Sequence, residues 1–236
     1  MSKWLVLPAA LAVVFITAIG LWQLSKARSF QLFGDIVARI ETSAPRVAIT
    51  FDDGPTADYT EPVLALLAAH DVRATFFVTG REVEENPDEA RAIVDAGHEL
   101  GNHSWSHPDM TLLGPARIAR EIERTNEAIR AAGHQGEIFF RPPFGKKLIT
   151  LPWYLSRNGR TTIMWDIEPE TYPEIAQDPD LIAQHVLDNV RPGSIVLLHV
   201  MYGSREASRQ ALPLIFEGLR VQGYEIVTVS ELLATP

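Results

Sequence analysis

From Pro45 onward, short apolar runs alternate with longer stretches of helical periodicity. Arg46 to Phe51 is apolar and β-branched and reads as a strand. Thr60-Glu61-Pro62 then opens a helix, with Thr60 as N-cap and Pro62 in the first turn. Val63, Leu64, Leu66 and Leu67 give that helix a broad apolar face. "ATFFVTG", from Ala74, predicts a second strand. Asn86-Pro87-Asp88-Glu89 starts a helix with Glu in the capping-box position, and Gly97 stops it. "HELGNHS" predicts a short third strand running into a loop. A long helix follows from about Pro115 to Ala132, with Ile118, Ile122 and Ile129 on one stripe and Gly133 as its stop.

"EIFFRPP" predicts a fourth strand, and "TTIMW" a fifth after a short helix from about Leu151 to Asn158. Asp178-Pro179 opens another helix, ended by Pro192-Gly193. "SIVLLH" is the sixth strand, Glu206 to Gln222 a helix, and "YEIVTV" the seventh strand. Strands alternating with helices predict an α/β fold with a parallel sheet. Most of the strands are continuous apolar runs, as expected when helices cover the sheet. An open doubly wound sheet and a closed barrel both satisfy the pattern. No G-x-G-x-x-G follows the first strand and no Walker A loop is present, which removes support from nucleotide-binding versions.

Before Pro45 the pattern changes. "WLVLPAALAVVFITAIGLW", Trp4 to Trp22, carries no charge and has a Trp at each end, where interfacial aromatics are favoured. Residues 1–25 are therefore expected to be a transmembrane anchor, with a cleavable signal peptide ending at Ser25-Lys26-Ala27 as the competing reading. Residues 26–44 read as a juxtamembrane linker with a short helix in "FQLFGDIVARIETS", and 45–236 as the folded domain. An anchor would hold that domain on the outer face of a bacterial cytoplasmic membrane, on the periplasmic or cell-wall side. Cleavage would release it.

The 236 residues suffice for one good core, and a net charge of −9 leaves no basic face for nucleic acid. A neutral or cationic substrate fits that charge better. The absence of cysteine excludes disulfides, thiolate metal sites and cysteine nucleophiles.

The reactive side chains fall at strand ends. Asp52 and Asp53 end the first strand, His103 and His107 follow the third, and Arg141 ends the fourth. Asp166 and Glu168 end the fifth, and His199 ends the sixth. The carboxyl rim of parallel strands is where α/β folds build their sites. His103 and His107 stand four apart, which on a helical turn puts both imidazoles on one face. Two His and one carboxylate form a three-ligand set for Zn²⁺. The alternative is two surface histidines flanking Trp105. His70, His98, His134 and His185 lie at or within predicted elements and read as structural or solvated.

The motifs "TFDDGP", "HSWSH", "RPPFG", "WDIEPET" and "LLH", in this order, resemble the polysaccharide deacetylase family. These are the NodB-homology domains, also called carbohydrate esterase family 4. The likeness runs from about Arg46 to Leu233. It implies a distorted (β/α) barrel of about seven parallel strands. It also implies metal-dependent hydrolysis of N-acetyl groups on the amino sugars of a polysaccharide or oligosaccharide. By that resemblance Asp53, His103 and His107 correspond to the metal ligands, for Zn²⁺ or for Co²⁺ or Ni²⁺, which such donors also accept. Asp52 corresponds to the general base, Arg141 to the residue orienting it, and His199 to the general acid. A backbone N–H near Phe144, where the family often has Tyr, corresponds to an oxyanion donor.

One motif departs from the family pattern. Glu168 stands where the family carries Asp, and Thr171-Tyr172 where it carries Asp-Trp. Motif register assigns Glu168 to support His199, with Asp166 as the alternative. Trp105, Tyr202, Phe144 and Asp166 are the expected substrate-lining residues. A formamide, an O-acetyl ester or a cyclic imide would suit the same site, and an inactive glycan-binding domain is the reading from another class.

Overall fold

The computed structural model describes residues 3–236, with side chains from residue 11 onward. A helix, α1 (Lys3–Ser25), leads into a folded body. Its strands are β1 (Ile36–Val37), β2 (Arg46–Asp52), β3 (Thr75–Val78), β4 (Glu99–Asn102), β5 (Thr162–Ile163), β6 (Ile195–His199) and β7 (Glu225–Val227). The helices between them are α2 (Thr60–Ala69), α3 (Gly80–Glu85), α4 (Pro87–Asp95), α5 (Pro115–Ala131), α6 (Thr150–Arg157), α7 (Pro179–Asn189), α8 (Glu206–Val221) and α9 (Val229–Leu233).

Every strand pairing is parallel, and β2 is the hub. It pairs with β3 on one side and with β6 on the other, and its first residues pair with β7. The main sheet runs β4-β3-β2-β6, and β1 pairs with β5 alone. Single bridges complete the ring: Asn102 to Phe140, Phe140 to Thr162, and Ile167 to Val196. The result is a distorted barrel whose β5 side is joined by bridges rather than by full strands.

Two differences from the sequence expectation have local causes. "EIFFRPP" contributes only the bridge at Phe140, because Pro142 and Pro143 have no N–H to give a ladder. Residues 30–43 form no helix, and Ile36–Val37 pairs with β5 instead. Thr162 N–H donates to Asp35 and Met164 N–H to Val37, so the expected linker supplies the partner that an otherwise unpaired strand needs. At α2, Thr60 is the first helical residue rather than the N-cap, and its Oγ1 accepts from the Thr56 N–H at 3.1 Å.

Among the described residues no helix is long and apolar enough to cross a membrane. The span expected from Trp4 to Trp22 falls partly on residues outside those whose side chains are described.

The period-two alternation of the strands sorts the core. Val47, Ile49 and Phe51 of β2, Phe76 and Val78 of β3, and Val196 and Leu198 of β6 face the helices α2, α4, α7 and α8. Ala48, Phe77, Ile195 and Leu197 face the barrel interior, together with Ile163 and Trp165. Each fully buried large apolar side chain contributes about 1.5–3 kcal/mol over its exposed state. The same alternation continues upward to the rim, where Asp52 stands opposite His199 in register.

Gly193 joins the expected linker to the barrel. Its N–H donates to Arg46 at 2.8 Å, and its carbonyl accepts from Ile40 at 2.9 Å. Its φ is +82°, and a Cβ there would stand 1.9 Å from the Ile40 oxygen. Gly193→Ala should therefore cost more than the about 1–3 kcal/mol of left-handed strain alone, read as a lower urea midpoint. Gly159→Ala, at φ +62° with open space, should cost only the conformational part.

Candidate active site

The site begins where β2 stops being a strand. Adjacent strand residues face opposite sides, yet Asp52 and Asp53 reach one rim. The backbone supplies the reason: Asp53 has φ 73° and Gly54 φ 76°, so the alternation is broken immediately after Asp52. Asp53 N–H donates to Phe77 at 3.0 Å, and Gly54 N–H to Glu82 Oε2 at 2.8 Å. Glu82 also accepts from Thr79 Oγ1 at 2.7 Å and from Tyr202 Oη at 2.7 Å. This carboxylate on α3 therefore holds the turn that carries Asp53. Sequence reading did not single it out, since it looks like an ordinary exposed helix acid.

Asp52 is 2% exposed and accepts from Arg141 Nη1 at 2.7 Å. Arg141 is fully buried. Nη1 also donates to Thr50 Oγ1 at 2.8 Å, Nη2 to the Met164 carbonyl at 3.1 Å and Nε to the Ile163 carbonyl at 3.3 Å, and its plane lies 3.9 Å over the Phe77 ring. Burial alone would lift the Asp52 carboxyl. Arg141, His103 and His199 outweigh it and hold the group below its ordinary value, so it stays ionised.

His103 is buried, and its Nδ1 lies 2.8 Å from the Arg141 carbonyl. A carbonyl only accepts, so Nδ1 carries the proton and Nε2 keeps a free lone pair. Nε2 points to the rim, 3.6 Å from Asp52 Oδ2. His107 Nε2 lies 3.7 Å from Asp53 Oδ1. The two histidines do not sit on a helical turn as their spacing suggests. Ser104 (φ 67°) and His107 (φ 52°) fold the loop back, with the His107 N–H on Ser104 Oγ at 3.0 Å. One ligand atom from each of Asp53, His103 and His107 falls within 4.8 Å of the others. Burial and the neighbouring His103 keep His107 below its usual value despite Asp53 and Asp52, which leaves its lone pair available.

His199, at the end of β6, is held by Glu170 and not by Glu168 or Asp166. His199 Nδ1 is 2.5 Å from Glu170 Oε2, and the His199 N–H donates to Oε1 at 3.1 Å. Ser208 Oγ donates to the same carboxylate, and Arg205 lies 3.7 Å away. Burial would lower the His199 pKa. The hydrogen bond and charge of Glu170, with Asp52 and Asp53, raise it above the ordinary value. The motif register fails because regular pairing of β5 ends at Ile163 and a tight helical turn, Pro169–Thr171, re-aims the acids beyond it.

The displaced candidates have other partners. Glu168 accepts from Trp165 Nε1 at 2.8 Å and Arg28 at 2.6 Å. Asp166 accepts from the Ile195 N–H at 2.8 Å and Ser194 Oγ at 2.9 Å, on the outer side of the bridge to β6, and does not line the cleft. Trp105 packs against Gly80 with Arg124 3.5 Å over its ring, also outside the main cleft. Phe144 (φ 57°) and Tyr202 do line that cleft, whose volume is about 540 Å³. Of the four histidines read as structural, buried His98 accepts from the Ala74 N–H at 3.2 Å, and burial and Arg73 bring its pKa to about 4. His134 meets the Glu137 carbonyl, and His70 and His185 pack on Phe216 and Tyr172.

The chain belongs to the polysaccharide deacetylase family, whose profile matches residues 39–163. It is 39% identical over 166 residues to a chitooligosaccharide deacetylase of Sinorhizobium fredii, covering 69% of this chain and 75% of that protein. A peptidoglycan-N-acetylglucosamine deacetylase of Bacillus cereus is 32% identical over 191 residues, covering 80% and 68%. Among solved structures, a family 4 carbohydrate esterase from Streptomyces lividans in complex with acetate superposes with a TM-score of 0.71 at 34% identity, covering 78% of this chain and 93% of that one. A mutant CE4 family pseudoenzyme with restored enzymatic activity superposes at 0.76 with 36% identity, covering 85% and 71%. The family thus includes a member described as a pseudoenzyme.

The Glu170–His199 pair has a direct check. In an imidazole NMR titration, Glu170→Gln should lower the pKa of His199, and Glu168→Gln should leave it in place. The reverse pattern would restore the motif-register assignment.

Proposed function

We propose that this chain is a hydrolase removing N-acetyl groups from amino sugars of a glycan, with Asp52 as general base and His199 as general acid. The observation that carries the reading is the arrangement of these two facing groups, Asp52 bound to Arg141 at 2.7 Å and His199 to Glu170 at 2.5 Å, which pushes the pKa of Asp52 below and that of His199 above its ordinary value. The named relatives, a chitooligosaccharide and a peptidoglycan deacetylase, support the amide as the bond attacked.

Asp53, His103 and His107 fit a divalent cation. The donor set is two imidazole nitrogens and one carboxylate oxygen, with His103 oriented through its other nitrogen by the Arg141 carbonyl. Zn²⁺ is the first choice, and Co²⁺ or Ni²⁺ would bind the same donors. When bound, the ion supplies a more acidic water and polarises the acetyl carbonyl.

The protein's own groups do the rest. Asp52 Oδ1 is committed to Arg141, so Oδ2 is the oxygen that accepts the proton of the attacking water. The oxyanion that forms takes a hydrogen bond from the Phe144 backbone N–H at the cleft wall. His199 has Nδ1 committed to Glu170, so Nε2 delivers the proton to the leaving amine. The amide C–N bond breaks, acetate leaves, and the sugar keeps a free amino group. Phe144 and Tyr202 border the bound sugar.

We further read α1 as an anchor that holds the domain on the outer side of a membrane. In support, Leu11, Val14, Phe15 and Ile16 are all more than 60% exposed, with no protein surface covering them.

Acetate release from N-acetylated amino-sugar polymers by the full chain tests the reading. His103→Ala should abolish it, and equal activity would overturn the proposal. Asp52→Asn and Asp53→Asn should fail differently. Asp52→Asn should retain metal by elemental analysis and lose roughly 10²–10⁴-fold in kcat, whereas Asp53→Asn should lose the metal itself.

A further inference from the structure

A second recess lies beside the cleft. It is an apolar groove of about 580 Å³, walled by Leu21 and Trp22 of α1 and by Leu112, Leu113 and Leu148 of the domain. Lys146 lines both the groove and the catalytic cleft, and so joins them. Lys26 lines the cleft close by, its ammonium 3.5 Å over the Trp22 ring. Among the described residues, the other polar side chains lining the groove are Ser25, Asp109 and Thr111, with the indole of Trp22.

The groove is a fixed feature. Lys147, 1% exposed, donates its N–H to the Ser25 carbonyl at 2.9 Å and its ammonium to the Ala27 carbonyl. Ser25 is itself buried, and Arg28 pairs with Glu168 at 2.6 Å. These contacts bind the end of α1 to the domain, and none belongs to the proposed chemistry. Residues 25–28 also lie before the segment matched by the family profile, which starts at residue 39.

Leu112 stands 85% exposed at the lip of the groove, on a turn where Thr111 donates to Asp109 Oδ1. An exposed Leu beside an open apolar groove fits an apolar ligand better than water. The charge at the junction of the two recesses is cationic in a chain of net charge −9. Lys146 is bonded to Asp109 at 2.8 Å but keeps two further N–H donors, and Lys26 has no carboxylate partner among the described residues. One molecule can satisfy all three regions: hydrocarbon for the groove, an anion at the lysines, and an acetylated amino sugar in the cleft.

We propose that the substrate is a lipid-linked amino sugar: the groove holds its hydrocarbon chain, Lys26 and Lys146 hold a phosphate linkage, and the sugar enters the cleft. This rests on the deacetylase reading and specifies its substrate class. The reaction is the same hydrolysis of the acetamide, and the phosphate linkage is untouched. Hydrocarbon is favoured over a protein segment because α1, one wall of the groove, is apolar and exposed on its other faces too. The groove opens onto whatever medium α1 occupies.

The test uses the full chain in phosphatidylcholine nanodiscs and a farnesyl phosphate bearing a terminal diazirine. Photolabelling should map to Trp22, Leu112, Leu113 and Leu148. Excess unlabelled farnesyl phosphate should suppress it, and inorganic phosphate should not. Leu112→Asp and Lys146→Ala should each weaken labelling at least tenfold. Labelling spread along α1 without competition would mean bulk lipid only and would overturn the proposal, as would cross-links between two copies. A kinetic arm separates this inference from the reading beneath it. Farnesyl-phosphate-linked N-acetylglucosamine should show at least tenfold higher kcat/KM than chitotetraose. Leu112→Asp should erase that advantage and leave chitotetraose turnover unchanged. Equal kcat/KM for both substrates would overturn the lipid-linked assignment alone. Competed labelling with neither substrate hydrolysed would leave the groove assignment standing and remove the deacetylase.

Discussion

A guanidinium and a carboxylate, both shut away from solvent, face each other inside the barrel: Arg141 and Asp52, 2.7 Å apart. Burying such a pair is costly, and leaving either partner alone there would cost about 3–5 kcal/mol. The fold spends this energy on geometry. Arg141 reaches Thr50 and Asp52 on β2 and the carbonyls of Ile163 and Met164 at β5, while its own carbonyl fixes His103. One side chain thus ties together three parts of the ring, on the side where the strands are joined only by single bridges. The Phe77 ring beneath it and the small Gly101 next to that ring make room for the guanidinium plane.

Around that pair the rim stores strain. Of the non-glycine residues with positive φ among those described, Asp53, Ser104, His107 and Phe144 are all at the site, and only Asp71 is elsewhere. Such conformations cost about 1–3 kcal/mol each and persist only where the surroundings fix them. Here the fixing groups are visible: Glu82 under Asp53-Gly54, Asn102 and Ser104 under the histidine loop, and the Pro142-Pro143 turn under Phe144. The strain at Asp53 and His107 brings to the rim side chains that a regular strand or helix would have aimed elsewhere.

This also explains how far the sequence was legible. The strands and helices follow from apolar periodicity, because burial decides them and burial leaves a repeating mark. The residues gathered at the rim follow from their positions at strand ends. Glu170 was not legible, because motif register points to the partner of His199 only while the chain keeps a regular strand, and regular β5 pairing ends at Ile163. Trp105 lines a neighbouring recess with Asp53, His107 and Tyr202 rather than the main cleft, for a related reason. Its neighbours in sequence are at the site, but the turn at Ser104 sends its ring under Arg124 and onto Gly80. The pairing of Ile36–Val37 with β5 was hidden because two residues are too few to show alternation.

The electrostatic result is that two groups opposite one another in register have their pKa values pushed in opposite directions. Asp52 and His199 are cross-strand partners on β2 and β6. Left to themselves in a buried site, both would tend to lose their charge. Arg141 on one side and Glu170 on the other prevent this, each by a short charge-assisted hydrogen bond to the atom that faces away from the cleft. The atoms facing the cleft, Asp52 Oδ2 and His199 Nε2, are left as an acceptor and a donor at the same pH. Each charge also favours the other, so the two biases reinforce one another. A pair tuned apart in this way is what acid–base chemistry at neutral pH requires. The parallel register of two strands supplies it before any substrate arrives.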